Sequence, residues 1–402
     1  MPVVSVARDK NIAKAVVAAL EKVDIPDLSG KTILLKPNVG RESEHSRGIN
    51  TNPQVVEAVF HFLKKQHDAE FLIGDSPIIS TNTTAAFEKA GYASLLEQDG
   101  LQFVDLDSLP PKTISIPGGK VLKEIRVTGY IDKIEFIISI PVLKMHMHTG
   151  ASLSIKNLKG LIYKRDKVKL HHINEPEVVK QHDIPGKVVK ELDIAIADYA
   201  SVIMPDLSII DASFAQEGMG PSSGNPVRLD TIIASIDPIS ADVITLAICQ
   251  PDWALNNVPH LKFIAERISH PVLEDLDAIT TIPSDISSFK RRIEPPPTTI
   301  SIAYNNVRLI DVESCSACLS TIFTFLKENK EFIDENFTPE NPLTLAIGKG
   351  LKDSDLYGPA FLFGNCTANR SEDGIFIKGC TPVQSTLLAT IMEYLKERNG
   401  TE

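Results

Sequence analysis

Through the first 140 residues, short runs rich in β-branched and other apolar residues alternate with segments whose apolar positions recur every three or four residues. VVSVA, TILLKPN, EFLIGDSP and LQFVDLD are of the first kind; IAKAVVAALEKV, PQVVEAVFHFLKKQ and TAAFEKAGYASLLEQ are of the second. In PQVVEAVFHFLKKQ the spacing puts the apolar side chains on one face and the lysines on the other, as a helix packed on a sheet requires. Strand and helix in alternation predict a parallel sheet wrapped by helices. In such sheets the polar residues just beyond the strand ends line the ligand crevice, which makes Lys36, Asn38, Asp75 and Ser76 candidate ligand-binding residues.

The same grammar resumes from about Lys120 to Cys249, with the strands IEFIISIPVL and DLSIIDASF, a basic loop and helix through KMHMHTGASLSIKNLKGLI, and the segment TIIASIDPISADVITLAICQ. The prolines of IEPPPTT, at 293–299, can continue neither a helix nor a central strand and mark a boundary. Beyond them ISIAYNNVRLI, LTLAIGKG, AFLFGNC and GIFIKG read as strands, and CLSTIFTFLKENKEFI and VQSTLLATIMEYLKER as helices. The expected fold class is α/β, with parallel or mixed sheets and flanking helices: an N-terminal lobe over 1–140, a second lobe over 141–292, and a small cysteine-bearing module over 293–402.

Apolar residues at 43% and charged residues at 23% are ordinary globular values, so the whole chain is expected to fold. A net charge of −11 argues against nucleic acid and anionic membrane surfaces as partners, since counterion release needs an excess of lysine and arginine. The beginning of the sequence lacks a basic flank leading into an apolar run, and no apolar stretch approaches the twenty or so residues of a membrane-crossing helix. A cytoplasmic protein is therefore expected, with reduced thiols. Five cysteines are too few for a disulfide scaffold, and their clustering points to metal.

Cys315 and Cys318 form a C-x2-C pair between a strand and a helix, and Cys366 and Cys380 each follow a strand. Four thiolates suit a 4Fe-4S cluster or tetrahedral zinc. The glycine before Cys380 and the proline after it give an amide-rich turn able to donate to cluster sulfides, while zinc sites more often use two compact knuckles; the cluster is the favoured reading and zinc the alternative. Cys249 lies in an apolar helix and reads as a small buried hydrophobe.

The segment from Lys144 to His172 is dense in lysine and histidine, and in an acidic protein that local excess should attract an anion. Lys156, Asn157 and the backbone of Gly160 would hold a phosphate, a carboxylate or an unidentified anionic cofactor. His146 and His148, two apart, would share one face of a strand, and His146 and His172 are candidate proton carriers. Asp211 leads into AQEGMGPSSGNP, a glycine- and proline-rich loop in which Glu217 could serve as acid, base or metal ligand. Asp237 and Asp242 are further candidates, with helix capping the competing explanation for Asp237.

KPN at 36–38, GDSP at 74–77, K-x-H at 144–146, SLSIKNLKG at 152–160, EGMGP at 217–221 and SIDPISAD at 235–242 together resemble the domain-of-unknown-function 362 family, over about residues 1–250. Many members of that family carry iron–sulfur clusters, often in an appended ferredoxin domain with closely spaced cysteines; the dispersed cysteines here differ from that arrangement. His146, Lys156 and His172 also reproduce a spacing of the nickel-pincer lactate racemase superfamily, a histidine, a lysine ten residues on and a histidine sixteen further. That resemblance implies a shared ligand crevice, with cofactor attachment at Lys156. The function expected is an iron–sulfur redox protein binding an anionic small molecule in an inter-lobe crevice, an oxidoreductase or electron carrier of anaerobic settings with a redox partner protein. The alternatives are a racemase-like isomerase with a structural metal site and a protein of cofactor or cluster maturation. A homodimer is compatible with each.

Overall fold

A computed structural model describes the chain except residues 79–80, 186–188, 251–254, 274–275, 297–303, 315, 353–355, 357 and 400–402. The strands are β1 (Val3–Arg8), β2 (Thr32–Pro37), β3 (Glu70–Asp75), β4 (Leu101–Asp105), β5 (Lys112–Ser115), β6 (Glu124–Val127), β7 (Phe136–Ile140), β8 (Val142–His146), β9 (Gly150–Ser152), β10 (Leu207–Glu217), β11 (Asn225–Ser235), β12 (Thr280–Ile282), β13 (Val307–Asp311), β14 (Leu343–Ile347), β15 (Phe361–Phe363) and β16 (Ile375–Ile377). The helices are α1 (Ile12–Leu20), α2 (Pro53–Lys64), α3 (Thr83–Ala90), α4 (Ala93–Leu96), α5 (Ser154–Asn157), α6 (Asp166–Lys169), α7 (Pro176–Gln181), α8 (Glu191–Ala200), α9 (Pro238–Cys249), α10 (Pro259–Arg267), α11 (Ser316–Glu328), α12 (Lys330–Asn336) and α13 (Gln384–Asn399). They form two compact units, Met1–Pro296 and Pro297–Glu402.

In the first unit one sheet runs β12-β1-β11-β10-β7-β2-β3-β4, with β8 added beside β10 and β9 beside β8. The division expected at 140 therefore falls inside a sheet: β7 pairs with β2 on one side and β10 on the other. Its two faces are built by the period of two along each strand. Ile33 and Leu35 of β2, Phe71 and Ile73 of β3, and Ile138 of β7 belong to one apolar cluster with α1, α2 and α3. Leu34, Leu72 and Ile137, one residue out of step, belong to the other, with α8, α9 and α10. Both faces are covered, which is why these strands read as continuous apolar runs.

The helix starts follow from local chemistry. Asn11, Asn52, Asn82 and Asp237 accept from the amides of Lys14, Gln54, Ala85 and Ser240 at 3.2, 3.0, 2.9 and 2.6 Å, and prolines at 53 and 238 open two of these helices. Asp237 is thus a helix cap. Asp242 is structural too, its two oxygens accepting from the amides of Ser154 at 2.8 Å and Ile155 at 3.1 Å. The long loop expected after Asp211 is shorter than it looked, because β10 runs on to Glu217 and its antiparallel partner β11 starts at Asn225, with a bulge between Ala212 and Phe214.

The second unit carries a four-stranded sheet in the order β13-β14-β15-β16, every neighbouring pair parallel. Leu343, Leu345, Ile347, Phe361 and Phe363 of its strands are buried, as are Phe325 of α11 and Leu387 and Ile391 of α13. The expected helix through CLSTIFTFLKENKEFI is divided at Asn329 into α11 and α12. Among the described residues no helix is long and apolar enough to cross a membrane.

Candidate functional site

Strand order locates the crevice. From β2 the chain steps to β3 and β4 on one side, then returns to place β7 on the other side of β2. The gap between β2 and β7 is a topological switch point, and the carboxyl ends of parallel strands at such a point form a ligand crevice. Lys36 stands there, two residues beyond Leu34 and opposite Ser139 of β7. The crevice thus lies at the strand ends of one sheet, not between two lobes.

Lys36 is fully buried, and its ammonium donates to Asp75 Oδ1 at 2.7 Å, to Asn157 Oδ1 at 3.2 Å and to the Pro37 carbonyl at 3.2 Å. Asp75 also accepts from the amides of Val39 and Ser76, both at 2.8 Å. The Asn157 amide group donates to the Lys36 carbonyl and to Ser139 Oγ, each at 3.1 Å. Burial pulls the Lys36 ammonium below its ordinary value while Asp75 opposes the shift. With their polar atoms engaged by one another, Lys36, Asp75 and Asn157 form the floor of the crevice. Gly160 closes it: a Cβ there would lie 2.1 Å from Asp75 Oδ1 and 2.5 Å from Lys36 Nζ. Gly160→Ala is expected to cost about 1–3 kcal/mol by overpacking, measured as a lower urea midpoint; an unchanged midpoint would mean that the pair yields freely.

Above this floor Lys144, Lys156 and Arg41 have no ion pair with a carboxylate among the described residues. The Lys144 ammonium donates to Asn38 Oδ1 and to the Ile49 carbonyl, the latter at 2.8 Å, and burial, with Arg41 next in weight, brings it down to about 7. Partly buried Lys156 has, among the described residues, neither a hydrogen bond nor an ion pair; burial, then Lys159 and Lys144, hold it well below its ordinary value, and Asp193 alone opposes. Burial lowers Arg41 as well, and its guanidinium has no hydrogen bond among the described residues. His146 Nδ1 accepts from the amides of His148 at 3.2 Å and Thr149 at 3.3 Å, which leaves the ring proton on Nε2. Burial, followed by Lys156, His148, Lys159 and Lys144, keeps His146 neutral far below its ordinary value. The two rings of His146 and His148 stand 5.9 Å apart.

His172 is exposed, and its neighbour His171 turns inward instead, accepting from Lys159 Nζ at 2.5 Å. Glu217 serves the fold: its Oε2 accepts from the Glu294 amide at 2.8 Å, holding the segment before the proline run against the end of β10. Ser76 belongs to a neighbouring cluster in which its hydroxyl meets Asp107 and Lys167. Cys249 is fully buried, and burial pushes its thiol up to about 12.

In the second unit the strands are parallel, so the residues that follow them gather at one edge of the sheet. Cys366 follows β15 and Cys380 follows β16 by three residues each, while Cys318 sits in the first turn of α11, the helix after β13. Cys318 Sγ accepts from Thr381 Oγ1 at 3.4 Å and lies 3.0 Å from where a Cβ on Gly364 would stand. The loops bearing Cys366 and Cys380 therefore close around Cys318. Cys315 lies outside the described residues, and among those described no three histidines, cysteines or carboxylates stand together as ligands of one ion.

The chain is thus an α/β unit with buried cations at the strand ends of its sheet, followed by a cysteine-bearing α/β unit. The profile of the family described as domain of unknown function (DUF362) matches residues 33–247, more than half of the chain, and the protein belongs to that family. It is 29% identical over 227 residues to the thylakoid-associated protein sll1697 of Synechocystis sp., across 56% of this chain and 65% of that protein, so it spans just under two thirds of that relative. Among solved structures, the lactate racemase apoprotein from Thermoanaerobacterium thermosaccharolyticum superposes with a TM-score of 0.42 at 15% identity, over 61% of this chain and 56% of that one. A structural-genomics protein from Thermotoga maritima superposes with a TM-score of 0.36 at 12% identity, over 64% and 58% of the two chains.

Proposed function

We propose that the protein is a cytoplasmic iron–sulfur redox protein whose N-terminal unit binds an anionic small molecule at the strand-end crevice, with an oxidoreductase or electron-transfer role. The observation that carries the anion is the convergence of Lys144, Lys156 and Arg41, none with an ion pair among the described residues, above a floor whose carboxylate, Asp75, is already committed to Lys36. A bound anion supplies the missing countercharge and repays part of the desolvation of these cations. Lys156 and Lys144 bind it, Arg41 flanks it, and the Nε2–H of His146 donates to it. In the C-terminal unit Cys318, Cys366 and Cys380, with Cys315, would hold the cluster; the loops that close around Cys318 Sγ, and the Thr381 hydroxyl that donates to it, fit a thiolate donor set. When bound, such a cluster supplies single-electron transfer.

Two measurements test this reading. Protein purified without oxygen is expected to hold about four irons and four acid-labile sulfides, lost in Cys318→Ser. Malonate binding, followed by calorimetry, is expected to weaken by about tenfold or more in Lys156→Ala. Colourless protein with one zinc and no sulfide would end the redox reading. It would leave a second one, a non-redox isomerase or racemase, which is favoured by the held tautomer of His146: a neutral imidazole with a fixed Nε2–H in a cationic pocket is suited to carrying a proton.

A further inference from the structure

On the other side of the GDSP turn lies a second polar cavity of about 190 Å³, lined by Pro77, Ile78, Thr81, Thr83, Asp107, Lys164, Arg165 and Lys167. Asp75 turns to Lys36, while the next residue, Ser76, turns its hydroxyl to Asp107 and Lys167. Lys167 is 7% exposed, with its ammonium donating to the Pro77 carbonyl at 3.2 Å and standing 3.4 Å from Asp107 Oδ2. Asp107 also accepts from the Lys164 amide at 2.8 Å. The one carboxylate in the lining is thus taken up locally. Lys164 and Arg165 also line it; the Lys164 ammonium lies 4.9 Å from the centre of the Tyr163 ring, while the guanidinium of Arg165 has no hydrogen bond or ion pair among the described residues.

Two further groups face the same space. Thr83 is 8% exposed, and its hydroxyl has no hydrogen-bond partner among the described residues. Thr83 is also the first residue of α3, whose cap Asn82 takes the amide of Ala85 at 2.9 Å; the first amides of the helix have no acceptor within it and carry the positive end of its dipole.

We propose that this cavity is a phosphoryl-group subsite, distinct from the Lys144–Lys156 crevice. The amides at the start of α3 and the Thr83 hydroxyl would donate to the phosphoryl oxygens, and Arg165 and Lys164 would supply the charge, Arg165 through its planar fork. The cavity is large enough for a phosphate group, so either inorganic phosphate or the phosphoryl end of an ester would satisfy it.

The experiment is calorimetric titration of the full chain with inorganic phosphate and, separately, ribose 5-phosphate. Phosphate binding is expected to weaken about tenfold in Arg165→Ala and severalfold in Thr83→Val, and to be unchanged in Lys156→Ala. Equal or tighter binding of the ester identifies a phosphoryl ester as the natural occupant; binding of free phosphate alone identifies the inorganic ion. Absence of binding at about 10 mM of either, or loss in Lys156→Ala with Arg165→Ala unaffected, overturns the subsite. Arg165 is exposed, so its replacement leaves the fold intact, and malonate binding in the same variant separates failure here from failure of the crevice.

Discussion

Asp75→Asn is expected to lower the unfolding free energy by about 3–5 kcal/mol, the usual cost of removing one partner of a buried ion pair. The ammonium of Lys36 is fully buried and the Asp75 side chain 2% exposed, 2.7 Å apart, so no water replaces the lost charge. The remaining acceptors of Lys36, the Asn157 amide oxygen and the Pro37 carbonyl, are both at 3.2 Å and neutral. The variant has two poor options: it keeps an uncompensated ammonium under the crevice, or deprotonates Lys36 and gives up its strongest hydrogen bonds. Asn also turns its NH2 toward the amide of either Val39 or Ser76, each of which needs an acceptor. Adding Lys36→Met should recover part of the loss, because the buried charge is then gone. Urea denaturation of the two variants checks this; a change under about 1 kcal/mol in Asp75→Asn would show that the pair is solvated in solution and is not the floor described.

The sequence made the strand-end residues of this floor legible because each follows an apolar run that can only be a buried strand. KPN and GDSP mark the ends of β2 and β3, and the parallel arrangement then brings Lys36 and Asp75 together. Asn157 was legible as polar chemistry in a dense motif, though not as the bridge between Lys36 and Ser139. The residues that periodicity could not reveal are those supplied by loops and by helices far along the chain. Arg41 lies four residues beyond β2 in a stretch without apolar pattern, and Asp193 acts on Lys156 from α8. Choosing between His171 and His172 requires the orientation of one short turn, which spacing alone does not fix. Glu217 misled for a related reason: glycine and proline on its C-terminal side suggested a loop, whereas alternation through FAQE and NPVRLD continues the β10–β11 pairing and uses the carboxylate to hold the Glu294 amide. The boundary expected at 140 failed because two runs of strand–helix grammar need not be two sheets. The division between the two compact units, by contrast, falls between Pro296 and Pro297.

Malonate affinity is expected to fall by up to tenfold per pH unit as pH rises above about 7, and Lys144→Met should flatten that dependence. Burial brings the Lys144 ammonium down to about 7, whereas an unfolded lysine titrates near its ordinary value. Below 7 the side chain is charged in both states. Between 7 and the ordinary lysine range the unfolded chain binds a proton that the folded one does not, so the ligand-free protein gains stability with rising pH. An anion reverses the preference, because it favours the charged lysine; binding above 7 then takes up a proton, and each unit of pH costs about 1.36 kcal/mol. The carbonyl of Ile49 at 2.8 Å and the Asn38 side chain keep the amine in place in either state, so the change is one of charge and not of position. Calorimetry in two buffers of different ionisation enthalpy would count the proton directly. Proton uptake that falls in Lys144→Met places this lysine against the bound anion, while uptake unchanged in Lys144→Met would mean that the anion is held by Lys156 and Arg41 without it.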